Sequence, residues 1–362
     1  MSDKKTHEKH LLRGTEAIGE AAIRAGCRFY AGYPITPQNE LPEYMARRMS
    51  ELEDEGAVFI QSESELSAIN MLLGASVTGA RVMTSSSSPG ISLKQEGISF
   101  LAGMELPAVI VNIMRGGPGL GNIAPAQSDY FQATRGGGHG DYRTIVLAPA
   151  SVQEMADLTF DAFDLADEYR NPVILLADGM LGQMMEPVIF KTPKKPPEKP
   201  WTLRGAKDRP SRFFRSLILP VDEMEEHNWR LYRKYQRIVR KEVRLETFNL
   251  KGAELVVVAY GTTARIAKGA IKRCMEKKMR VGMVRPITLW PFPMKEIREI
   301  AESVSGFQVF ELSMGQMVED VQLAVLGRAP VEFYGRPGGV VPTPAELLRV
   351  ISRTYNSLVK EK

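Results

Sequence analysis

The alternation of strands and helices is the strongest constraint on the fold of this 362-residue chain. Between Leu12 and about Phe190, short apolar runs rich in β-branched residues alternate with stretches of helical spacing. The runs are AVFI before Gln61, then RVMTSS, PAVIVNIM, RTIVLA and PVILLAD. Strands that are separated by helices favour a parallel, doubly wound sheet. Residues 1–190 therefore predict an α/β domain.

A second α/β unit follows a segment of different composition. Residues 191–250 begin with a stretch of prolines and cations and continue, at about 222–246, into a charged helix. We interpret this segment as a linker with a solvated connecting arm, in preference to a dedicated binding surface. After it, strand, tight turn, helix and strand recur, which predicts a smaller α/β domain at 251–362 that packs beside the first.

Composition limits the classes of function. With 47 basic and 43 acidic side chains, the net charge of +4 is small and argues against a nucleic-acid partner. We expect a cytoplasmic protein without a membrane partner, because the start is polar and no apolar run reaches about 18 residues. Cys27 and Cys274 are the only cysteines, too few for an iron–sulfur cluster, so any cluster must belong to another chain.

The segment AGYPITPQNE at 31–40 follows a predicted strand, CRFYA. Ligands bind at the carboxyl ends of parallel strands. Pro37 disfavours helical backbone at Thr36 and can itself open a helix. The Thr36 hydroxyl is therefore expected at the mouth of the sheet, either as a helix cap or as a ligand donor.

Two carboxylates, Glu63 and Glu65, lie at the start of a predicted helix, directly after a strand that looks buried. The helix dipole alone explains acidic residues at this position. Proton exchange with a ligand is the other interpretation. The residues themselves leave both open.

Two further loops follow strands. TSSSSPG, ahead of a helix that carries Lys94, offers hydroxyls and amides to an anion but is not a Walker loop. Arg115 ends the strand PAVIVNIM and precedes a long loop with eight glycines, where its planar guanidinium suits a carboxylate. His139 in this loop is expected to face solvent or to be structural. A Rossmann dehydrogenase is disfavoured, since no G-x-G-x-x-G follows the first strand.

Together, YPITP, QSESE, TSSSSPG, MRGGPG and RGGGHGDYR resemble the first domain of the α subunit of 2-oxoacid:ferredoxin oxidoreductases. VRPITLWPFP and VFELSMGQ resemble the second, transketolase-C-terminal-like α/β domain of that family. The resemblance covers nearly the whole chain apart from the linker. It is greatest to the branched-chain type, which acts on 3-methyl-2-oxobutanoate, and the 2-oxoglutarate type is the near competitor.

The resemblance implies a pyrimidine-type thiamine-diphosphate domain whose cofactor is shared with a β subunit. Mg²⁺ and [4Fe–4S] clusters are then held by partner subunits, in agreement with the lack of a GDG motif followed by a metal-binding Asn here. The implied partners are the β subunit, γ and ferredoxin-like δ subunits, ferredoxin and coenzyme A. The implied reaction converts 2-oxoacid, coenzyme A and oxidised ferredoxin to acyl-coenzyme A, carbon dioxide and reduced ferredoxin.

By the same resemblance, Glu65 contacts the aminopyrimidine ring and promotes its imino tautomer. The family's glutamate precedes a helix glycine by nine positions, as Glu65 precedes Gly74, and Glu63 is the reserve candidate. Tyr33, Pro34 and Ile35 are the other expected cofactor contacts. Arg115 and Thr36 are implied to hold the carboxylate and the 2-oxo oxygen of the substrate.

Two alternatives remain. A 2-oxoglutarate enzyme needs one more cation in the pocket, for which Lys94 or Arg135 is a candidate. A structural subunit without a catalytic residue predicts that Glu65 can be replaced without loss of turnover.

Overall fold

Two open sheets and one short ribbon make up the strands of the computed structural model, which describes residues 8–207 and 209–360. The strands are β1 (His10–Arg13), β2 (Cys27–Gly32), β3 (Val58–Gln61), β4 (Arg81–Ser86), β5 (Ala108–Met114), β6 (Ile145–Leu147), β7 (Pro172–Asp178), β8 (Met185–Val188), β9 (Leu245–Phe248), β10 (Leu255–Val258), β11 (Val281–Pro286), β12 (Thr288–Trp290), β13 (Gly306–Glu311) and β14 (Val331–Gly335). Residues 1–7 of the polar start lie outside the described residues.

Helices connect and cover these strands. They are α1 (Gly14–Arg24), α2 (Glu40–Ser50), α3 (Glu65–Ser76), α4 (Ser88–Gly103), α5 (Tyr130–Arg135), α6 (Val152–Tyr169), α7 (Gly179–Gln183), α8 (Val221–Lys241), α9 (Gly261–Glu276), α10 (Met294–Ala301), α11 (Met317–Val325) and α12 (Pro344–Tyr355). A 3₁₀ turn spans Glu53–Glu55 and a π-helical turn spans Asn356–Lys360.

The larger sheet has the order β12-β6-β7-β5-β4-β2-β3, and all its pairings are parallel except that of β12 with β6. Helices α1, α2 and α6 cover one face and α3 and α4 the other. Every residue of β5 and β7 is therefore buried, which explains their continuous apolar sequences. The predicted doubly wound α/β domain and its five strands are confirmed.

One strand differs from its prediction. β3, which precedes Glu63 and was expected to be buried, is the edge strand of the larger sheet, and its four residues are exposed or half-buried. Its short apolar run resembles a buried strand because sequence alone does not reveal the order of strands in a sheet.

The smaller sheet has the order β14-β13-β10-β11-β9. Its strands are parallel except for β9, which pairs antiparallel with β11 and lies inside the segment that was predicted as linker. The second unit packs beside the first, as expected, because β12 follows β11 directly and crosses over to extend the larger sheet. The α/β class is confirmed in both units.

Helix α8 lies against the first unit along one face. Leu231, Tyr235 and Ile238 are buried in its core, whereas Trp229 and Tyr232 are half-exposed on the opposite face. The connecting arm is therefore solvated on one side only. Among the described residues, no helix combines the length and the apolar character that a bilayer crossing requires.

Candidate functional site

The predicted site residues meet at one edge of the larger sheet. Strands β2, β4 and β5 end at Gly32, Ser86 and Met114, and each is followed by one of the loops that the sequence singled out. Because these neighbouring strands run parallel, their carboxyl ends lie side by side.

Thr36 lies on the surface of this edge and precedes a cis peptide bond to Pro37. Helix α2 begins only at Glu40, with Asn39 at its N-cap position, so the prediction of Thr36 as a helix cap is wrong. A turn in which the Gln38 amide donates to the Ile35 carbonyl at 3.1 Å separates Thr36 from the helix.

Tyr33 and Pro34 are exposed and Ile35 is half-buried. All three are accessible from the carboxyl end of β2, as contacts to a cofactor require.

Arg115 follows β5 directly and is only 8% exposed. Its Nη1 donates to the Thr36 carbonyl oxygen at 2.8 Å and its Nη2 to the Leu120 carbonyl at 3.1 Å. Its Nε is buried and has no partner in the described part of the chain. The structure thus brings Thr36 and Arg115 together, through the backbone of Thr36.

A cavity of about 380 Å³ opens beside Thr36. Its described lining combines apolar and neutral polar residues with one carboxylate, that of Glu40; the lining residues are Thr36, Pro37, Asn39, Glu40, Ile123, Pro125, Gly179 and Gln183. Glu40 accepts a hydrogen bond from Gln183 Nε2 at 2.8 Å.

Glu65 is the first residue of α3, behind the N-cap Ser64, and is only 6% exposed. The hydrogen bonds of this turn join Ser64, Ser67 and Glu63, and within residues 8–207 and 209–360 none of them reaches the Glu65 carboxylate. Glu63 is exposed and accepts from Ser67 Oγ at 2.8 Å, in the first turn of the helix. The two candidates thus differ in environment, since Glu65 faces the protein and Glu63 faces solvent.

Gly90 allows the Glu65 carboxylate to approach α4. A Cβ at Gly90 would lie 2.5 Å from Glu65 Oε1 and 2.0 Å from Ser86 Oγ, so no other residue fits there without a shift. The absence of a side chain at position 90 therefore brings Glu65, Ser86 and the start of α4 into one cluster.

The serine run connects this cluster to Arg115. Ser88 Oγ donates to Asp129 at 2.6 Å and accepts from the Arg115 amide at 3.0 Å. Burial raises the pKa of Asp129. The hydroxyls of Ser86 and Ser87, by contrast, are buried without a partner among the described residues.

Two further residues predicted for the substrate pocket lie elsewhere. Lys94 is fully buried inside α4, and Arg135 pairs with Asp320 at 2.9 Å. Neither lines the cavity beside Thr36. His139 is exposed in its glycine-rich loop, in agreement with a solvent-facing role.

Sequence reasoning missed Gln38, Gly90 and the pair Asn112–Asp129, in which Asn112 Nδ2 donates to Asp129 at 2.9 Å. Only the Ser-Pro-Gly string pointed to the start of α4. A groove of about 910 Å³ between α8 and residues 140–143 contains none of the predicted site residues among its described lining.

Comparison with known proteins decides the family. Residues 20–240 match the family model described as pyruvate flavodoxin/ferredoxin oxidoreductase, thiamine diphosphate-binding. This chain belongs to that family. Residues 253–347 match the model described as pyruvate:ferredoxin oxidoreductase core domain II.

Several relatives are similar over almost their whole length. Ketoisovalerate oxidoreductase subunit VorB of Methanothermobacter marburgensis is 50% identical over 343 residues, which cover 94% of this chain and 96% of that protein. The 2-oxoglutarate synthase subunit KorA of Methanothermobacter thermautotrophicus is 37% identical over 374 aligned positions, covering 95% and 98%.

A solved structure shares the fold. The 2-oxoglutarate:ferredoxin oxidoreductase from Magnetococcus marinus, with 2-oxoglutarate, coenzyme A and succinyl-CoA bound, superposes with a TM-score of 0.82 at 24% identity. The match covers 98% of this chain and 66% of that chain.

The edge of the sheet has the groups that an aminopyrimidine ring needs. Such a ring presents ring nitrogens and an amino group, so it requires both acceptors and donors. The Glu65 carboxylate is an acceptor without a protein donor, and Ser86 Oγ, Ser87 Oγ and Gln38 Nε2 are buried without partners in the described ranges. These residues fit thiamine diphosphate on its pyrimidine side.

Proposed function

We propose that this chain is the pyrimidine-side subunit of a 2-oxoacid:ferredoxin oxidoreductase that acts on a branched-chain 2-oxoacid. The burial of the Glu65 carboxylate against Gly90, without a protein donor, is the observation that carries the proposal. The 50% identity to ketoisovalerate oxidoreductase subunits supports the branched substrate.

Thiamine diphosphate, when bound, supplies the carbanion chemistry of 2-oxoacid decarboxylation. Glu65 holds the pyrimidine ring through its carboxylate and exchanges a proton with it. We retain Glu65 in preference to Glu63, whose carboxylate is in solvent and is already bonded to Ser67. Tyr33, Pro34 and Ile35 contact the ring from the end of β2.

Arg115 and Thr36 orient the substrate at the neighbouring strand ends. Arg115 offers the carboxylate its Nε, which has no partner in the described part of the chain, and its contact with the Thr36 carbonyl fixes the loop that carries the Thr36 hydroxyl. The Thr36 hydroxyl then binds the 2-oxo oxygen of the substrate. Buried guanidinium donors without a partner suit an anionic ligand.

The cavity beside Thr36 favours a branched apolar side chain over a second carboxylate. Ile123, Pro37 and Pro125 give it an apolar wall, and no lysine or arginine stands among its described lining residues. Glu40 lies there instead and pairs with Arg13 at 3.5 Å, so the described lining offers no lysine or arginine to a distal carboxylate such as that of 2-oxoglutarate.

We assign the diphosphate, Mg²⁺ and the [4Fe–4S] clusters to partner subunits, namely a β subunit with γ and ferredoxin-like δ subunits. Ferredoxin takes the electrons and coenzyme A takes the acyl group. The relatives are themselves named as subunits, which supports an enzyme that is active only as a hetero-oligomer. We expect this assembly in the cytoplasm.

The proposal is tested by co-expression of the chain with its genetic partners and an assay of coenzyme-A-dependent reduction of ferredoxin or a viologen dye. We expect the highest kcat/KM with 3-methyl-2-oxobutanoate and lower values with 2-oxoglutarate and with pyruvate. A preference for 2-oxoglutarate would show that the cavity has been assigned the wrong substrate. No thiamine-dependent turnover with any 2-oxoacid would favour a structural subunit.

A further inference from the structure

Lys94 is a cation in the interior of the first unit. It is 0% exposed, and its Nζ donates to Thr84 Oγ1 at 2.6 Å and to the Ser85 carbonyl at 3.3 Å. Both acceptors are neutral, and no carboxylate forms an ion pair with Lys94 in the described part of the chain. An ammonium group has three donors. Two of the three donors are therefore used, and the third has no acceptor in this pair of groups.

The position of Lys94 on α4 places it near the carboxylate of Glu65. Gly90 and Lys94 are four residues apart and share one face of the helix. Glu65 Oε1 lies against this face at Gly90, where a Cβ would be only 2.5 Å away. The Lys94 backbone therefore lies about one helical turn from the point where α4 meets Glu65, and its side chain reaches Thr84 and Ser85 near the carboxyl end of β4.

Burial in an apolar environment disfavours the charged form of a lysine, and nearby negative charge opposes this effect. Burial lowers the pKa of Lys94 to about 7, and the charge of Glu65 acts in the opposite direction. Lys94 therefore reduces the stability of the folded chain. A residue that lowers the stability of the fold, and has no ion pair to offset this cost, is more often found at a functional site.

We propose that Lys94 is a positioning residue for Glu65: its buried cation attracts the Glu65 carboxylate and holds it against α4 at Gly90, in the place from which it meets the pyrimidine ring. This inference rests on the proposed function of Glu65. Lys94 acts through Glu65, because α4 and β4 enclose its Nζ.

The pH dependence follows from the groups around Lys94. Glu65 faces it from α3, and Ser85 connects it to Tyr30 on β2, whose phenol pKa is raised by burial. Asp129, which precedes α5, accepts from Ser88 at the start of α4, and burial raises its pKa also. Tyr30 stays neutral over the working range.

The two pKa values of Lys94 decide whether its effect on folding stability grows or declines with pH. Its pKa is lower in the folded chain, about 7, than its ordinary 10.5, so the unfolded chain binds more protons between these values. The destabilisation by Lys94 is therefore full below about pH 7 and declines as the pH rises towards 10.5.

The test replaces Lys94 by Met, which has similar volume and no charge, in the assembled enzyme and in the full chain. We expect kcat to fall by roughly tenfold with KM within about twofold. We also expect the melting temperature to rise, and to rise more at pH 6.5 than at pH 9.5. Lys94→Gln keeps a donor for Thr84 and removes the charge, so it should lose the same fraction of kcat.

Lys199→Met is the matched control. Lys199 is also buried, but it pairs with Asp167 at 2.5 Å, far along the chain from Glu65. Its replacement should leave kcat unchanged, because Lys199 bonds Asp167 and the Gly79 carbonyl at the opposite end of β4 from Ser86.

A double-mutant cycle tests the coupling without an activity assay. If the charges interact, Lys94→Met stabilises the chain more in a Glu65→Gln background, where no carboxylate offsets the buried cation. Additive changes in melting temperature would overturn the inference.

Two activity results would also contradict it. Unchanged kcat in both Lys94→Met and Lys94→Gln would remove Lys94 from the site. If both the melting temperature and kcat fall in Lys94→Met, the role of Lys94 is structural. If Glu65→Gln retains turnover, the proposed function fails; if Glu65→Gln is inactive while the Lys94 variants are active, only the role of Lys94 fails.

Discussion

Two fully buried glutamines show how the joint between the two units differs from the candidate site. Gln127 at the joint has a partner for each polar atom: its Nε2 donates to the Tyr260 carbonyl at 2.9 Å, and its Oε1 accepts from Thr263 Oγ1 and the Leu312 amide. Gln38 at the sheet edge accepts from Ser85, but its Nε2 has no partner among the described residues.

The difference separates a structural contact from a ligand site. Buried polar groups are nearly always hydrogen-bonded, because an unpaired one costs about 1–3 kcal/mol. At the sheet edge, Gln38 shares this condition with Ser86, Ser87 and the Nε of Arg115. Such a concentration at the carboxyl ends of parallel strands is expected where a ligand completes the hydrogen bonds.

The largest effect is expected from Glu65→Gln. The substitution keeps the size of the side chain and removes the proton-exchanging group, so turnover should fall by about 10²–10⁴-fold. Turnover of the assembled enzyme measures it. Glu63→Gln is the matched control and should stay within about twofold, since Glu63 is exposed. Equal activity of the two variants would contradict a role for Glu65.

Replacement of Gln127 by Leu tests the structural side of the comparison. It leaves the Thr263 hydroxyl and the Leu312 amide without their partner, whereas the Tyr260 carbonyl keeps the Ala264 amide. We expect the free energy of unfolding to fall by about 3 kcal/mol, measured by chemical denaturation. Enzyme that remains folded should keep its kcat. A loss of kcat without a loss of stability would place Gln127 in the site instead.

Arg115→Lys keeps the charge and loses the planar set of donors. We expect kcat/KM for the 2-oxoacid to fall by roughly tenfold, chiefly through KM, because Lys cannot contact both the substrate carboxylate and the Thr36 carbonyl. Steady-state kinetics over a range of 2-oxoacid concentrations measures this. An unchanged KM would show that Arg115 only stabilises the loop at Thr36.

The smallest change in stability is expected from Gln38→Met. The Nε2 of Gln38 has no partner to lose, and Ser85 Oγ keeps Tyr30 at 2.6 Å. The free energy of unfolding should change by less than about 1 kcal/mol, against about 3 kcal/mol for Gln127→Leu. Denaturation of both variants under one set of conditions compares them. Equal losses would remove the distinction between the two glutamines.

Local patterns in the sequence predicted much of the fold and part of the site. β-Branched runs between helices indicated the parallel sheet, and the structure confirms it. Thr36 and Arg115 were placed at predicted strand ends, and the structure brings Arg115 to the Thr36 carbonyl, while their roles toward a substrate stay a prediction.

Features that depend on tertiary order were missed. β12 has only three residues, too few for a periodic pattern, and its crossing to the larger sheet is not encoded locally. The edge position of β3 and the burial of Lys94 likewise depend on which elements pack together.

A structure of the complete assembly with thiamine diphosphate would test the role of Glu65. We expect a pyrimidine ring nitrogen within hydrogen-bond distance of the Glu65 carboxylate, with a new partner for at least one of Gln38 Nε2, Ser86 Oγ and Ser87 Oγ. A ring bound elsewhere, with Glu65 still without a donor, would contradict it.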